Sequence, residues 1–190
     1  MLIRSLFVII LVALLGAFLI GCGEVPQQAI DEAKAELDAA KSAEADRYVP
    51  DMYNAANKSY QDAMAIVEKE KEAMFSNYDE ALPLLQAAKE NATNAKNAVE
   101  GAKATVKGEV EGMLAQIPDE IKAARQLWKK APRGKGTKEA LAMMKQEIDD
   151  AEASVAKVNA TMESGDYLAA RQQAQQLMSK IKQLQAELQN

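Results

Sequence analysis

Small apolar residues recur at alternating spacings of three and four along most of this 190-residue chain. The longest stripe consists of Tyr78, Ala81, Leu85, Ala88, Ala92, Ala95, Val99, Ala102 and Val106. This spacing places its members on one face of an α-helix, and it is the heptad pattern of helices that pair side by side. The chain is therefore predicted to be all-α, with elongated antiparallel helical hairpins or a bundle and alanine-rich, coiled-coil-like seams.

Prolines and polar stretches divide the chain into predicted helices. Their ranges are 28–45, 51–75, 78–116, 119–130, 138–163 and 167 onward. Pro50 suits the first position of the second helix, where its missing N–H costs nothing. Pro83 is expected to kink the third helix or define a separate first turn, and Pro118 to restart a helix. The second helix is predicted to pack on the third, and the fifth on the last.

Short capping motifs predict where several helices begin and end. The second helix is expected to carry the stripe Tyr53, Ala56, Tyr60, Ala63, Val67 and Met74 to its end. Asn77 and Glu80 match a capping box for the third helix, and Thr137 is expected to cap the fifth. Gly165 is predicted to end the fifth helix as its C′ residue, with Asp166 as the N-cap of the last.

Two segments of the chain also have similar stripes. Four stripe residues lie 88 positions before four others: Tyr53, Ala63, Val67 and Met74 before Leu141, Ala151, Val155 and Met162. This similarity indicates two helical-hairpin modules from an old duplication, or a coincidence between two alanine-rich heptad segments. The predicted divisions are 28–117 for a first helical module, 118–136 for a short helix and basic loop, and 137–190 for a second hairpin.

The N-terminal segment carries a different signal. Arg4 precedes an apolar run over residues 6–20, which is shorter than the roughly 20 residues that a spanning helix needs. The run ends in Leu19-Ile20-Gly21-Cys22, which resembles the lipobox of bacterial lipoproteins. The resemblance implies that residues 1–21 are a signal peptide and that residues 22–27 are a lipidated linker. It also implies that Cys22 carries a diacylglyceryl group and an N-acyl chain.

Other interpretations of this segment stay open. Cys22 is the only cysteine, so the alternatives for its sulfur are a free thiol or a disulfide that is not within this chain. The apolar run could also be an uncleaved membrane helix, with Arg4 reaching the interface. Gly23 stands where an aspartate is the usual inner-membrane retention signal of enterobacterial lipoproteins. Because glycine replaces that aspartate here, the sequence favours the outer membrane, on the periplasmic face.

Residues 26–102 resemble a small alanine-rich helical domain of unknown function that occurs in bacterial envelope lipoproteins. The resemblance is carried by Ala40, Ala43, Tyr48, Pro50, Tyr53, Ala56, Tyr60, Ala63, Asn77, Tyr78, Asp79, Glu80, Ala81 and Ala88. The glycine that usually precedes the first break is replaced here by Ala43-Glu44-Ala45. The resemblance implies a helical body in the cell envelope and does not specify a ligand.

Composition argues against several classes of function. The net charge is −5, whereas nucleic-acid binding needs a basic surface. There is no histidine, and with Cys22 assigned to lipid the soft and imidazole ligands for zinc, copper or haem are missing. No nucleophile motif or phosphate-binding loop is found. The chain is predicted to be no enzyme, to bind no nucleic acid and to need no cofactor or metal beyond the covalent lipid.

Basic residues cluster around the single tryptophan of this acidic chain. The cluster consists of Lys122, Arg125, Trp128, Lys129, Lys130, Arg133 and Lys135, with Lys138 following. One interpretation is a contact patch for anionic lipid headgroups, an acidic wall polymer or an acidic partner. The other is a solvated loop in which Trp128 caps the end of the bundle.

Together these features predict a lipid-anchored protein of the bacterial envelope that acts as a tether or scaffold. Its expected partners are the membrane, through the lipid, and an envelope protein or the cell wall, with self-association through the seams as a further option. The alternative is a periplasmic carrier or chaperone-like binder that uses a groove between helices.

Overall fold

The computed structural model describes residues 23–134 and 137–189. Over these residues the chain forms the α-helices α1 Gln27–Ser42, α2 Ala45–Tyr48, α3 Pro50–Lys71, α4 Ala81–Lys130, α5 Lys138–Glu163 and α6 Tyr167–Glu187. The predicted all-α class is confirmed. Residues 1–21, Cys22 and Lys135 lie outside the described residues, so the signal peptide, the lipid attachment and the end of the basic cluster stay predictions.

The described residues divide into two compact units, and the division falls inside α4, between Val99 and Glu100. The first unit contains α1, α2, α3 and the beginning of α4, and the second contains the rest of α4 with α5 and α6. The sequence placed the end of a module at residue 117. In the structure, Val110 and Ile117 belong to the core that α5 and α6 share.

The first unit is held together by the predicted stripes. Its main core consists of the buried residues Ile30, Ala33, Ala63, Val67, Tyr78, Ala81, Leu85 and Ala88. These residues come from α1, α3 and the segment that opens α4, so the second and third predicted helices contribute to one core. Leu37 and Ala40 extend the α1 stripe and are also buried.

Ion pairs between α1 and α4 border this core. Glu32 Oε2 lies 2.7 Å from Lys89 Nζ, and Glu36 Oε2 lies 2.8 Å from Lys96 Nζ. The pKa of Glu32 is lowered by its hydrogen bond from Lys89, and that of Glu36 by its hydrogen bond from Lys96. Because the two glutamates are one helical turn apart, the pairs favour a single register of α1 on α4.

The first break lies earlier than predicted and uses a left-handed residue. α1 ends at Ser42, and Glu44 has φ = 70°, a backbone conformation that glycine adopts more easily. The short helix α2 then occupies residues predicted as the break, and Pro50 begins α3 as predicted. Glu44 thus stands in the Ala43-Glu44-Ala45 segment where the resembling domain usually has glycine.

The turn between α3 and α4 differs from the prediction. α3 ends at Lys71, and Met74, assigned to the buried stripe, is 85% exposed. The capping box is wrong as well, because Asn77 Oδ1 accepts the amide of Asp79 at 2.9 Å and the Asn77 amide donates to Glu70 Oε2 at 3.0 Å. The side chain of Glu70 therefore takes the position that Glu80 was expected to fill.

Neither proline divides α4. The helix begins at Ala81, so Pro83 lies in its first turn, where backbone N–H groups have no partner within the helix. The predicted restart at Pro118 is wrong, because α4 continues through this residue. Pro118 removes one backbone hydrogen bond, but its neighbours Ile117 and Ile121 are buried in the core of the second unit. We infer that this packing keeps the segment helical.

The second unit is a three-helix assembly. Its core consists of Val110, Ile117, Ile121, Ala124, Ile148, Ala151, Val158, Ala170, Ala174, Leu177, Ile181 and Leu184. The predicted packing of α5 on α6 is confirmed, and the bounds of α5 are those predicted. Gln185 Nε2 also ties α6 to α4, because it lies 2.9 Å from the carbonyl oxygen and 2.8 Å from a carboxylate oxygen of Glu120.

The cap predicted for the start of α5 is wrong, and the residues predicted to end it are confirmed. Thr137 does not cap the helix with its side chain. Its hydroxyl closes the preceding loop instead, 2.8 Å from the Gly134 amide and 3.1 Å from the Pro132 carbonyl oxygen. At the other end, Gly165 has φ = 86°, and Asp166 accepts the amide of Ala169, as predicted.

A pair of glycine substitutions separates backbone conformation from packing in the second unit. Gly165→Ala should lower the free energy of unfolding by about 1 kcal/mol, because alanine is strained at positive φ. Gly108→Ala, inside α4, should raise it by up to about 1 kcal/mol through helix propensity. An added Cβ meets no atom within 4 Å at either position. Urea unfolding of both variants checks this, and equal effects would contradict it.

Candidate functional site

The end of α4 and the start of α5 bring part of the basic cluster together. Arg125 lies on α4 and is committed to the unit itself, because its Nη2 is 2.7 Å from Asp149 Oδ1 and 2.5 Å from Glu152 Oε2 on α5. These two carboxylates raise the pKa of Arg125, the Glu152 hydrogen bond most. Arg125 therefore joins two helices, and only part of its charge is left for an external ligand.

Trp128 packs one turn further along α4. Its indole Nε1 donates to the Leu141 carbonyl at 2.7 Å, and its ring contacts the core of the second unit. The guanidinium of Arg133 lies over the ring, 5.0 Å from the ring centre, at a distance typical of a cation–π contact. Trp128 is thus partly buried and holds both the start of α5 and the loop in place.

An open cleft lies between Trp128 and the first turns of α5. Its volume is ≈ 440 Å³, within the range of small-molecule sites. Its described lining residues are Trp128, Arg133, Gly134, Lys138, Leu141, Ala142 and Lys145. The surface of the cleft is therefore largely apolar, with three cationic side chains among the residues around it.

Only some residues of the predicted contact patch line the cleft, and other residues line it with them. Trp128 and Arg133 line the cleft, whereas Lys122, Lys129 and Lys130 are exposed and are not among its lining residues. Leu141, Ala142 and Lys145 were not predicted as site residues. Their signal in the sequence was the spacing of Lys138, Leu141 and Lys145, which places all three on one face of α5.

Several other charged groups of the described residues pair along helix surfaces. Lys34 with Asp38, Lys58 with Asp62 and Lys145 with Asp149 are four residues apart and within 3.1 Å. Among the residues that the structure describes, no group of three or more Asp, Glu, Cys or His side chains is arranged to hold a metal ion. The chain over those same residues contains no helix that is long and apolar enough to cross a membrane.

Comparisons of this chain with protein families, characterised proteins and solved structures found no match.

The ion pair between Arg125 on α4 and Asp149 on α5 should be sensitive to acid. The pKa of Asp149 lies below its ordinary value of 3.8 because Lys145 and Arg125 hydrogen-bond to its carboxylate. A lowered pKa means that the ionised group stabilises the folded state above pH 3.8 and that this contribution is lost as the pH falls through the folded-state pKa. Asp149→Asn should therefore destabilise the protein at neutral pH and have little effect well below pH 3.8.

The free energy of unfolding in urea, measured across this pH range, checks that expectation. The matched control is Asp150→Asn, because within the described part of the chain the Asp150 carboxylate accepts only the side chain of Gln146, four residues earlier on the same helix. A constant difference between Asp149→Asn and the parent protein from neutral to acidic pH would contradict the expectation.

Proposed function

We propose that this chain is a lipid-anchored protein of the bacterial envelope, held by an acylated Cys22 on the periplasmic face of the outer membrane, with a structural or interaction role. The observation that carries the proposal is the abrupt change at Cys22, where an apolar run ending in Leu19-Ile20-Gly21 gives way to a polar helical chain. The helical units fit an interaction role, because several of their charged residues pair along helix surfaces and between helices, while others stay exposed.

The proposed mechanism is tethering. Acyl chains on Cys22 would fix the protein to the bilayer, and the helical units would present their surfaces to an envelope protein or to the wall. Each buried CH₂ of an acyl chain contributes about 0.8 kcal/mol, so two or three chains hold firmly. No catalytic step is part of this role.

Replacing Cys22 tests the anchor. Cys22→Ser should abolish incorporation of labelled palmitate and should change mobility on a denaturing gel, because serine has no thiol to receive the diacylglyceryl group. Phase partition of cell extracts and mass spectrometry of the N-terminal peptide provide the measurement. Recovery of the parent protein with Met1 intact and an unmodified sulfur would remove the anchor and the proposed location.

The cleft beside Trp128 supports a second candidate function, that of a carrier for amphiphilic anions. Leu141, Ala142 and the indole of Trp128 suit an apolar chain, while Arg133 and Lys138 suit a carboxylate or phosphate headgroup. The rim is cationic although the protein as a whole has a net charge of −5, so an anionic ligand would be attracted locally.

Titration with dodecanoate and with neutral dodecanol tests the carrier function. Trp128 is the only tryptophan, so its emission reports directly on the cleft. Dodecanoate should give a saturable change and bind more tightly than dodecanol, and Arg133→Ser should weaken dodecanoate binding by about tenfold, the loss of one charge-assisted contact. Lys182→Ser on α6 is the charge-matched control. Equal weakening by both variants, or no preference for the anion, would rule the site out.

A further inference from the structure

Gly23, the residue that follows Cys22, is hydrogen-bonded to the turn between α3 and α4. The amide of Gly23 donates to the carbonyl of Ser76 at 3.2 Å. A Cβ at position 23 would lie 2.9 Å from that oxygen and 3.4 Å from Cδ2 of Tyr78. Real Cβ atoms essentially never approach another atom below 3.0 Å, so a side chain at position 23 would force the backbone to shift, and glycine avoids this.

The same turn exposes two large apolar side chains. Met74 is 85% exposed and Phe75 is 75% exposed, more than the other large hydrophobic residues in the described part of the chain. Both lie beyond the end of α3 at Lys71, and the buried stripe of the first unit does not include them. Such side chains are costly in water unless another surface covers them.

We propose that Met74 and Phe75 form a second membrane contact, inserting into the interface of the bilayer to which Cys22 is anchored. This proposal rests on the proposed lipidation, because one peptide bond separates Cys22 from Gly23, and Gly23 is bonded to the residue next to Phe75. The anchor and the two apolar side chains therefore meet the bilayer at one end of the first unit. An aromatic ring and a thioether suit the boundary between headgroups and acyl chains.

Charges around the turn specify the kind of lipid surface. The exposed carboxylates of Glu72, Asp79 and Glu80 flank Met74 and Phe75 along the chain, and Glu24 follows Gly23. The exposed amines of Lys69 and Lys71 end α3, so the region of the turn carries more negative than positive groups. Negative groups are repelled by anionic headgroups, so the contact should be strongest on a zwitterionic surface and weaker as anionic lipid is added. The basic cluster near Trp128 would show the opposite dependence, which separates the two regions by experiment.

The contact adds apolar burial to the anchor. Acyl chains on one cysteine fix a single point and leave the first unit free to rotate about it. Insertion of Met74 and Phe75 supplies a second point within a few residues of the first. It would orient the first unit on the membrane and slow its loss from the bilayer.

Tryptophan placed in the turn reports insertion directly. The full lipidated protein, purified from bacterial membranes with Trp128→Phe to remove the native signal, would carry Phe75→Trp and be reconstituted into phosphatidylcholine vesicles brominated on the acyl chains. Its emission should be blue-shifted and quenched by the bromines. The control is Met52→Trp in the same background, because Met52 is 39% exposed near the start of α3, roughly 30 Å along that helix from the turn.

A second measurement uses the native tryptophan background. Met74→Ser with Phe75→Ser should speed transfer of the lipidated protein between vesicles by about tenfold, whereas Met52→Ser should leave the rate unchanged. Circular dichroism of each variant should match the parent, because the substituted side chains are exposed.

The outcomes separate this contact from the anchor. Mass spectrometry shows whether Cys22 carries lipid, independently of any fluorescence. A lipidated protein whose residue 75 is no better quenched than residue 52 would overturn the contact and leave the anchor standing. Quenching at residue 75 without lipid on Cys22 would support the contact and remove the anchor. The absence of both lipid on Cys22 and quenching at residue 75 would overturn the anchor and the contact together.

Discussion

Alanine contacts between helices determine the geometry of both units. Ala33, Ala63 and Ala88 have no exposed surface in the first unit, and Ala170 and Ala174 have none in the second. Small side chains let two helices approach to the lower end of the 8–10 Å range of interaxial distances. Each buried methyl contributes only about 0.8 kcal/mol, so stability must accumulate along the whole length of a seam. Long stripes that continue from turn to turn are the consequence.

Some large apolar side chains lie near the ends of helices and outside the fully buried part of the seams. Trp128 lies near the end of α4 beside an open cleft, and Met74 and Phe75 lie in the turn after α3. A helix pair hides its stripe and offers polar sides to solvent, so its ends are where apolar surface is available to a ligand or a bilayer. Both proposed contacts lie at such positions. Gly23, which in the sequence marks the absence of an aspartate retention signal, also approaches the Ser76 carbonyl so closely that a Cβ would clash.

Local motifs predicted the structure well where neighbouring residues decide the outcome. Gly165 ends α5 and Asp166 caps α6, because a positive φ and an N-cap depend on a few adjacent residues. Asn77 and Thr137 failed as caps because their side-chain oxygens accept other amides, that of Asp79 for Asn77 and that of Gly134 for Thr137. Pro118 failed as a breaker, and we attribute this to the buried isoleucines on either side of it.

The sequence by itself determined the all-α class, the buried face of each long helix and the bounds of α5, because the 3.6-residue period of a helix is a local property that spacing reveals. It also supplied the lipobox-like motif at Cys22, and with it the hypothesis of an anchored envelope protein. Only the tertiary structure decided that the division falls within α4, that Arg125 joins Asp149, and that Gly23 bonds to Ser76. Those contacts join residues far apart in the chain, and their geometry depends on how whole helices pack.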